Sequence, residues 1–121
     1  MTKRILVIED TEDNRQIIGD LLASAGFELI EAVDGLEGVA TAEREQPDLI
    51  LMDIQLPGID GYEATRRIRK IPALAKVPII AVTSYALSGD EAKTREAGCD
   101  GYVAKPYSPR QLLAKVREFL P

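Results

Sequence analysis

Short apolar runs alternate with helical patterns five times along the chain, at residues 5–8, 27–32, 48–52, 78–82 and 101–103. Three of the runs are rich in Ile, Val and Leu without polar alternation, which predicts strands covered on both faces. The segments between them carry helix punctuation. Thr11, Asp34, Asp60, Ser88 and Ser108 are candidate N-caps, and the last four have Glu37, Glu63, Glu91 and Gln111 three residues on, the capping-box spacing. Pro109 stands where a first-turn proline is tolerated, Gly26 and Gly98 read as C-terminal glycines, and Pro47 and Pro72 follow helix ends.

The helix faces agree. Ile17, Ile18, Leu21, Leu22 and Ala25 make one apolar stripe, and Leu112, Leu113, Val116, Phe119 and Leu120 another. The helix expected over residues 88–97 is different, offering only Ala92 and Ala97, with Leu87 at its entrance. So few anchors predict weak packing and easy displacement. A strict strand–helix alternation implies a parallel sheet with helices on both faces, while leaving strand order open.

Composition narrows the chemistry. The 121 residues make one domain, 1–121, and no apolar run approaches the roughly 20 residues of a membrane span. The chain has no histidine and a single cysteine, Cys99, which excludes an internal disulfide, histidine metal sites and Ser-His or Cys-His catalysis. Cys99 reads as a small buried or turn residue rather than a thiol nucleophile, and the location as cytoplasmic. A net charge of -5 argues against nucleic-acid binding. The basic cluster Arg66, Arg67, Arg69 and Lys70 reads as a solvated helix face, with Glu63 and Arg67 spaced as an i,i+4 pair.

Parallel α/β sheets bind ligands at the carboxyl ends of their strands. There this chain has Glu9 and Asp10, then Asp53, then Thr83 and Ser84, then Lys105. Each alone has a plain structural explanation as a turn, helix-start or surface residue. Together they suit phosphoryl transfer to a carboxylate. Clustered acids call for a hard divalent cation, and Mg²⁺ takes few carboxylates together with waters and phosphate oxygens. Aspartate is an accepted nucleophile for such chemistry. A lysine ammonium and a threonine hydroxyl can hold phosphoryl oxygens.

The stretches ILVIEDTEDN, PDLILMDIQLPGIDGYE, IIAVTSYA and AGCDGYVAKPYS, in this order and at these distances, resemble the blocks of response-regulator receiver domains over essentially the whole chain. The resemblance implies a three-layer, flavodoxin-like (βα)5 α/β fold with a five-stranded parallel sheet of order 2-1-3-4-5. It makes Asp53 the phosphorylated aspartate, Glu9 and Asp10 the acidic pair that holds Mg²⁺ with Asp53, and the Gln55 backbone carbonyl a further ligand. It makes Thr83 the switch hydroxyl, Lys105 the phosphate-binding lysine, Tyr102 the aromatic switch residue, and Pro106 a proline after a cis peptide bond. Glu9 stands where many relatives have Asp. Gln55 and Tyr85 are the positions expected to tune the lifetime of the phosphorylated state.

The implied donor is a sensor histidine kinase or a histidine phosphotransfer protein, and the implied readout is a downstream protein target bound through the 83–120 face. Self-association, if any, is expected through residues 88–121. Neither nucleic acid nor membrane is an expected partner. The chain would catalyse only its own phosphorylation and dephosphorylation. A phosphatase of the haloacid-dehalogenase type would need a second Asp where Gln55 stands, and a flavin phosphate would be repelled by the acidic run from Glu9 to Asp13. With no output segment between Met1 and Pro121, the sequence is expected to be either a stand-alone regulator or a receiver module cut from a multidomain regulator or hybrid histidine kinase.

Overall fold

The computed structural model describes residues 2–84 and 90–121. Strands β1 (Arg4–Ile8), β2 (Glu28–Ala32), β3 (Leu49–Asp53), β4 (Ile79–Thr83) and β5 (Gly101–Ala104) form one sheet of order β2-β1-β3-β4-β5. All neighbours pair in parallel. The helices are α1 (Glu12–Ser24), α2 (Gly35–Glu45), α3 (Gly61–Arg69), α4 (Asp90–Ala97) and α5 (Pro109–Phe119). The doubly covered, flavodoxin-like α/β architecture expected from the sequence is therefore the one observed, in the expected strand order.

Period-two alternation divides each central strand between two cores. Ile5, Val7, Leu49, Leu51 and Ile80 pack with Ile18 and Leu22 of α1 and with Leu112 and Val116 of α5. Leu6, Ile8, Ile50, Met52, Ile79 and Ala81 pack with Ala42 of α2 and with Ala64 and Ile68 of α3. Every residue of β3 and β4 is buried, which explains their unbroken apolar runs, whereas the edge strand β2 is partly exposed. Burying one such Leu or Ile side chain contributes about 1.5–3 kcal/mol.

Local chemistry sets the helix ends. The Asp34 and Asp60 carboxylates accept the Glu37 and Glu63 N–H groups at 2.8 and 2.9 Å, and Ser108 forms a complete capping box with Gln111. Thr11 holds the N-cap position of α1, but its side chain makes no cap hydrogen bond. Gly26 and Gly98 have φ of +94° and +116°, as helix-terminating glycines require. Pro72 opens a 3-10 turn, Pro72–Leu74, that the pattern did not reveal.

Three expectations need correction. Ile17 is 61% exposed and lies off the apolar stripe of α1, whose buried residues are Ile18 and Leu22. Helix α4 is anchored by Thr94 and Ala97, while Ala92 is exposed. Thr94 tolerates burial because its hydroxyl donates to the Glu91 carbonyl at 2.7 Å. Arg69 is not part of a solvated face. Its guanidinium turns inward to the Gly98 and Leu74 carbonyls and the Asp100 carboxylate. Arg67 does pair with Glu63 on the surface, as the spacing suggested, and Arg66 joins it. Leu87 and Ser88 lie outside the described residues.

Candidate functional site

The parallel topology delivers the ends of β1, β3, β4 and β5 to one rim. The Glu9 N–H donates to the Ala32 carbonyl at 3.1 Å, extending the β1–β2 ladder by one step. The Glu9 side chain is 3% exposed, and its carboxylate accepts the Thr11 N–H at 2.8 Å. Asp10 follows at the mouth of the site and is exposed.

Asp53 is the last residue of β3, level with Val82, and is 4% exposed. Its Oδ1 accepts the Gln55 N–H at 3.0 Å, and its Oδ2 lies 3.3 Å from the Lys105 ammonium. The same ammonium is 3.6 Å from Glu9 Oε1. Thr83 ends β4 fully buried, and its carbonyl accepts the Lys105 N–H at 2.8 Å. The Lys105–Pro106 peptide bond is cis. Asp53, Glu9, Asp10, Thr83 and Lys105, singled out from strand-end positions in the sequence, thus converge.

One carboxylate oxygen from each of Glu9, Asp10 and Asp53 lies within 4.8 Å of the others. Among the described residues, Lys105 is the one cation in ion-pair range of these carboxylates, so the set keeps net negative charge and presents hard oxygen donors. That is the donor chemistry a hard divalent cation requires. The crowding of acids bears on Asp10. Partial burial of its carboxyl, then a hydrogen bond with Glu9 and the Glu9 charge, raise its pKa above the ordinary aspartate value. The rim opens into a groove lined in part by Asp10, Gln55, Asp60, Tyr62 and Lys93.

Tyr102 on β5 is half-buried and stands opposite Ala81, two residues before Thr83 on β4. Strand alternation therefore puts Tyr102 and Thr83 on the same face of the sheet as diagonal neighbours. Tyr85 lies outside the described residues.

Two residues at the site were not legible from the sequence. Tyr107 is half-buried, and desolvation followed by the charges of Glu9 and Asp53 raises its phenol pKa, so its hydroxyl lies in the field of the acids. Arg15 donates from Nη1 to the Glu9 carbonyl at 2.8 Å. Its one available signal was its place five residues after Asp10, on the first turns of the helix that leaves the acidic pair.

Cys99 is buried, and desolvation pushes its thiol pKa up, against a weaker opposing hydrogen bond with Thr65. A thiol so placed stays protonated and is no nucleophile. Among the described residues, no helix is long and apolar enough to cross a membrane.

Comparison with known proteins agrees with this geometry. A family model described as the response regulator receiver domain matches residues 5–117. The chain is 40% identical over 120 residues to the polar-differentiation response regulator DivK of Brucella ovis, covering 99% of this chain and 98% of that protein. It is similar to the receiver domain of a sensor histidine kinase from Pseudomonas aeruginosa, crystallised with a magnesium ion coordinated in its active site cleft. That match has 39% identity and a TM-score of 0.92, and covers 99% of this chain and 98% of that one. A chemotaxis response regulator of Vibrio cholerae superposes with a TM-score of 0.94 at 26% identity, covering 98% of this chain and 99% of that one.

Proposed function

The chain belongs to the response regulator receiver domain family, and from that premise we propose that Asp53 is its phosphoryl acceptor in a Mg²⁺-dependent transfer from a phosphohistidine donor. The observation that carries this reading is the setting of Asp53. It is a nearly buried carboxylate at the end of β3, paired with Lys105 and grouped with Glu9 and Asp10.

In the proposed transfer a carboxylate oxygen of Asp53 attacks phosphorus as the P–N bond of the donor breaks. The bond's electron pair leaves with the imidazole, which takes up a proton. The product is an aspartyl phosphate. Lys105 stays as a point charge against the phosphoryl oxygens, and the Thr83 hydroxyl donates to one of them. The Gln55 N–H holds one carboxylate oxygen and so orients the nucleophile. Glu9, Asp10, Asp53 and the backbone carbonyl of Gln55 would hold Mg²⁺, which when bound offsets negative charge on the transferring group. Dephosphorylation is attack by water on phosphorus with return of the Asp53 carboxylate. Gln55 and Tyr85 are the positions proposed to set its rate, and Tyr85→Ala is expected to speed it.

Residues 1–121 act here as one receiver domain that turns over its own phosphoryl group and no external ester. The donor is a sensor histidine kinase or a histidine phosphotransfer protein, in the cytoplasm. Phosphorylation adds charge and acceptor oxygens at the rim, drawing Thr83 towards them. Tyr102, its neighbour on the same face, then repacks. The readout is a population shift involving α4, which has few buried anchors, and α5, and it changes binding of a protein target through the 83–120 face or of a second copy through residues 88–121.

The test is intact-mass measurement after incubation with acetyl phosphate and Mg²⁺. Wild-type protein is expected to gain one phosphoryl group and Asp53→Asn none. A phosphorylated Asp53→Asn protein sinks the assignment.

A further inference from the structure

The Arg15 guanidinium is largely buried, with 14% of its side chain exposed, although it belongs to a solvent-facing stretch of α1. It reaches back across the start of the helix. Nη1 donates to the Glu9 carbonyl at 2.8 Å, and Nε lies 3.6 Å from the Glu31 carboxylate on β2. Its own backbone N–H closes the first turn of α1 on the Thr11 carbonyl at 3.0 Å. Ordering a long charged side chain in this way costs rotamer entropy. The simplest explanation is that it satisfies one carbonyl beyond the end of the strand ladder.

The position of that carbonyl says more. A peptide unit is planar, so fixing the Glu9 carbonyl also fixes the direction in which the chain leaves towards Asp10. The Glu9 N–H is held by Ala32, and its carboxylate by the Thr11 N–H with Asn14 and Lys105 at 3.5 and 3.6 Å, while Arg15 holds its carbonyl, the atom that belongs to the Glu9–Asp10 peptide. Asp10 itself is exposed, and one of its carboxylate oxygens stands within 4.8 Å of those of Glu9 and Asp53, like charges that repel. Without a restraint on its backbone it would swing away from the other two acids. Groups behind a first ligand commonly set metal affinity in this way.

We infer that Arg15 is a positioning residue for the cation site: through the Glu9–Asp10 peptide it holds the Asp10 carboxylate beside those of Glu9 and Asp53, so that Mg²⁺ affinity depends on a side chain that touches no ligand oxygen. Glu31 belongs to the same arrangement, but at 56% side-chain exposure it is a weak partner and contributes little. The inference rests on the cation site proposed above.

The experiment is calorimetric titration of the metal-free protein with MgCl₂, with thermal melts in parallel. Arg15→Ala is expected to weaken Mg²⁺ binding roughly 10- to 100-fold while the metal-free melting temperature stays near that of the wild type. Arg15→Lys, which keeps a charged donor, is expected to recover part of the loss, and Glu31→Gln to stay within about twofold of the wild type. A folded Arg15→Ala protein that binds Mg²⁺ as the wild type does overturns the inference. If Arg15→Ala does not fold, Arg15→Gln is titrated instead and read in the same way. Asp10→Asn separates the two claims. Wild-type binding that is lost in Asp10→Asn but kept in Arg15→Ala refutes the role of Arg15 alone. Absence of wild-type binding, or binding undiminished in Asp10→Asn, refutes the cation site and the inference with it.

Discussion

Lys105 follows β5 and Asp53 ends β3, with β4 between them, yet the lysine ammonium lies 3.3 Å from the aspartate carboxylate. The backbone makes this reach possible, because the Lys105 N–H is bonded to the carbonyl of Thr83 at the end of the intervening strand. An ammonium so placed attracts an incoming phosphoryl group and competes with a cation for the same acids. Lys105→Ala should therefore slow phosphorylation of Asp53 by acetyl phosphate about 100-fold, the scale for losing one preorganised charge-stabilising donor. The same change should leave Mg²⁺ affinity equal to or tighter than that of the wild type. Rate and affinity measured on one preparation test both halves, and a parallel fall in the two would show that Lys105 only maintains structure.

Asp10 makes the opposite prediction for stability. Its pKa is raised in the folded state, so the native protein binds that proton more tightly than the unfolded chain does. The associated stabilisation is present below the unfolded aspartate pKa and is lost as pH rises through the folded one. At neutral pH the metal-free protein thus carries an unfavourable charge at this position. Asp10→Asn, neutral at every pH, should melt higher than the wild type at pH 7 without Mg²⁺, and the gain should vanish in acid. Added Mg²⁺ should stabilise the wild type far more than the variant. A variant that melts below the wild type at neutral pH would contradict this account.

Strand β3 reads plainly as a strand because both its faces are covered, and Asp53 is visible because the apolar run stops there. Once a parallel sheet is inferred, its strand ends must share a rim, so Glu9, Asp10, Asp53, Thr83 and Lys105 can be grouped before any coordinates are known. Strand order could not be read from alternation and came from family resemblance. Side-chain direction was harder still. Ile17 and Ile18 are both apolar neighbours on one helix, and only packing decides that Ile18 is buried and Ile17 exposed. Arg15 and Arg69 look like surface cations because their acceptors include backbone carbonyls, which composition never reveals.

Gly61 is where α3 touches the end of β3. A Cβ there would stand 2.5 Å from the Asp53 carbonyl oxygen and 2.6 Å from the Ile54 Cα, and neither backbone atom can rotate away. The Gly61 N–H also donates to the Ile54 carbonyl at 2.9 Å, so the helix start cannot simply slide outward. Gly61→Ala should cost about 1–3 kcal/mol and slow Asp53 phosphorylation by displacing the strand end. Gly19, in the middle of α1, is the natural control, since a Cβ there meets nothing within 4 Å. Gly19→Ala should stabilise the protein by up to about 1 kcal/mol with phosphorylation unchanged. Denaturant unfolding of the pair decides the matter, and equal effects at the two positions would defeat the argument.

Arg69 is the counterpart of these contacts at the far end of the sheet. It donates to the Gly98 carbonyl at 2.9 Å, to the Leu74 carbonyl at 3.0 Å and to the Asp100 carboxylate at 2.7 Å. The same Asp100 oxygen accepts the Ile79 N–H at 2.9 Å, so one guanidinium joins α3, the 3-10 turn, the end of α4 and the start of β4. With its side chain 17% exposed, its loss leaves polar groups unpaired that water reaches only in part. Arg69→Ala should lower stability by roughly 2–4 kcal/mol, and Arg69→Lys should recover little because a point charge cannot serve three divergent acceptors. Helix α4 has few other anchors, so its C-terminal end should open more often in the variant. Cys99, buried beside Gly98 with its thiol held protonated, then becomes a reporter: alkylation in native buffer should be faster in Arg69→Ala than in the wild type. Mg²⁺ affinity should not change, because the contact lies at the opposite end of β4 from Thr83. Stability within about 0.5 kcal/mol of the wild type, together with unaltered Cys99 labelling, would mean that Arg69 does not hold α4 in place.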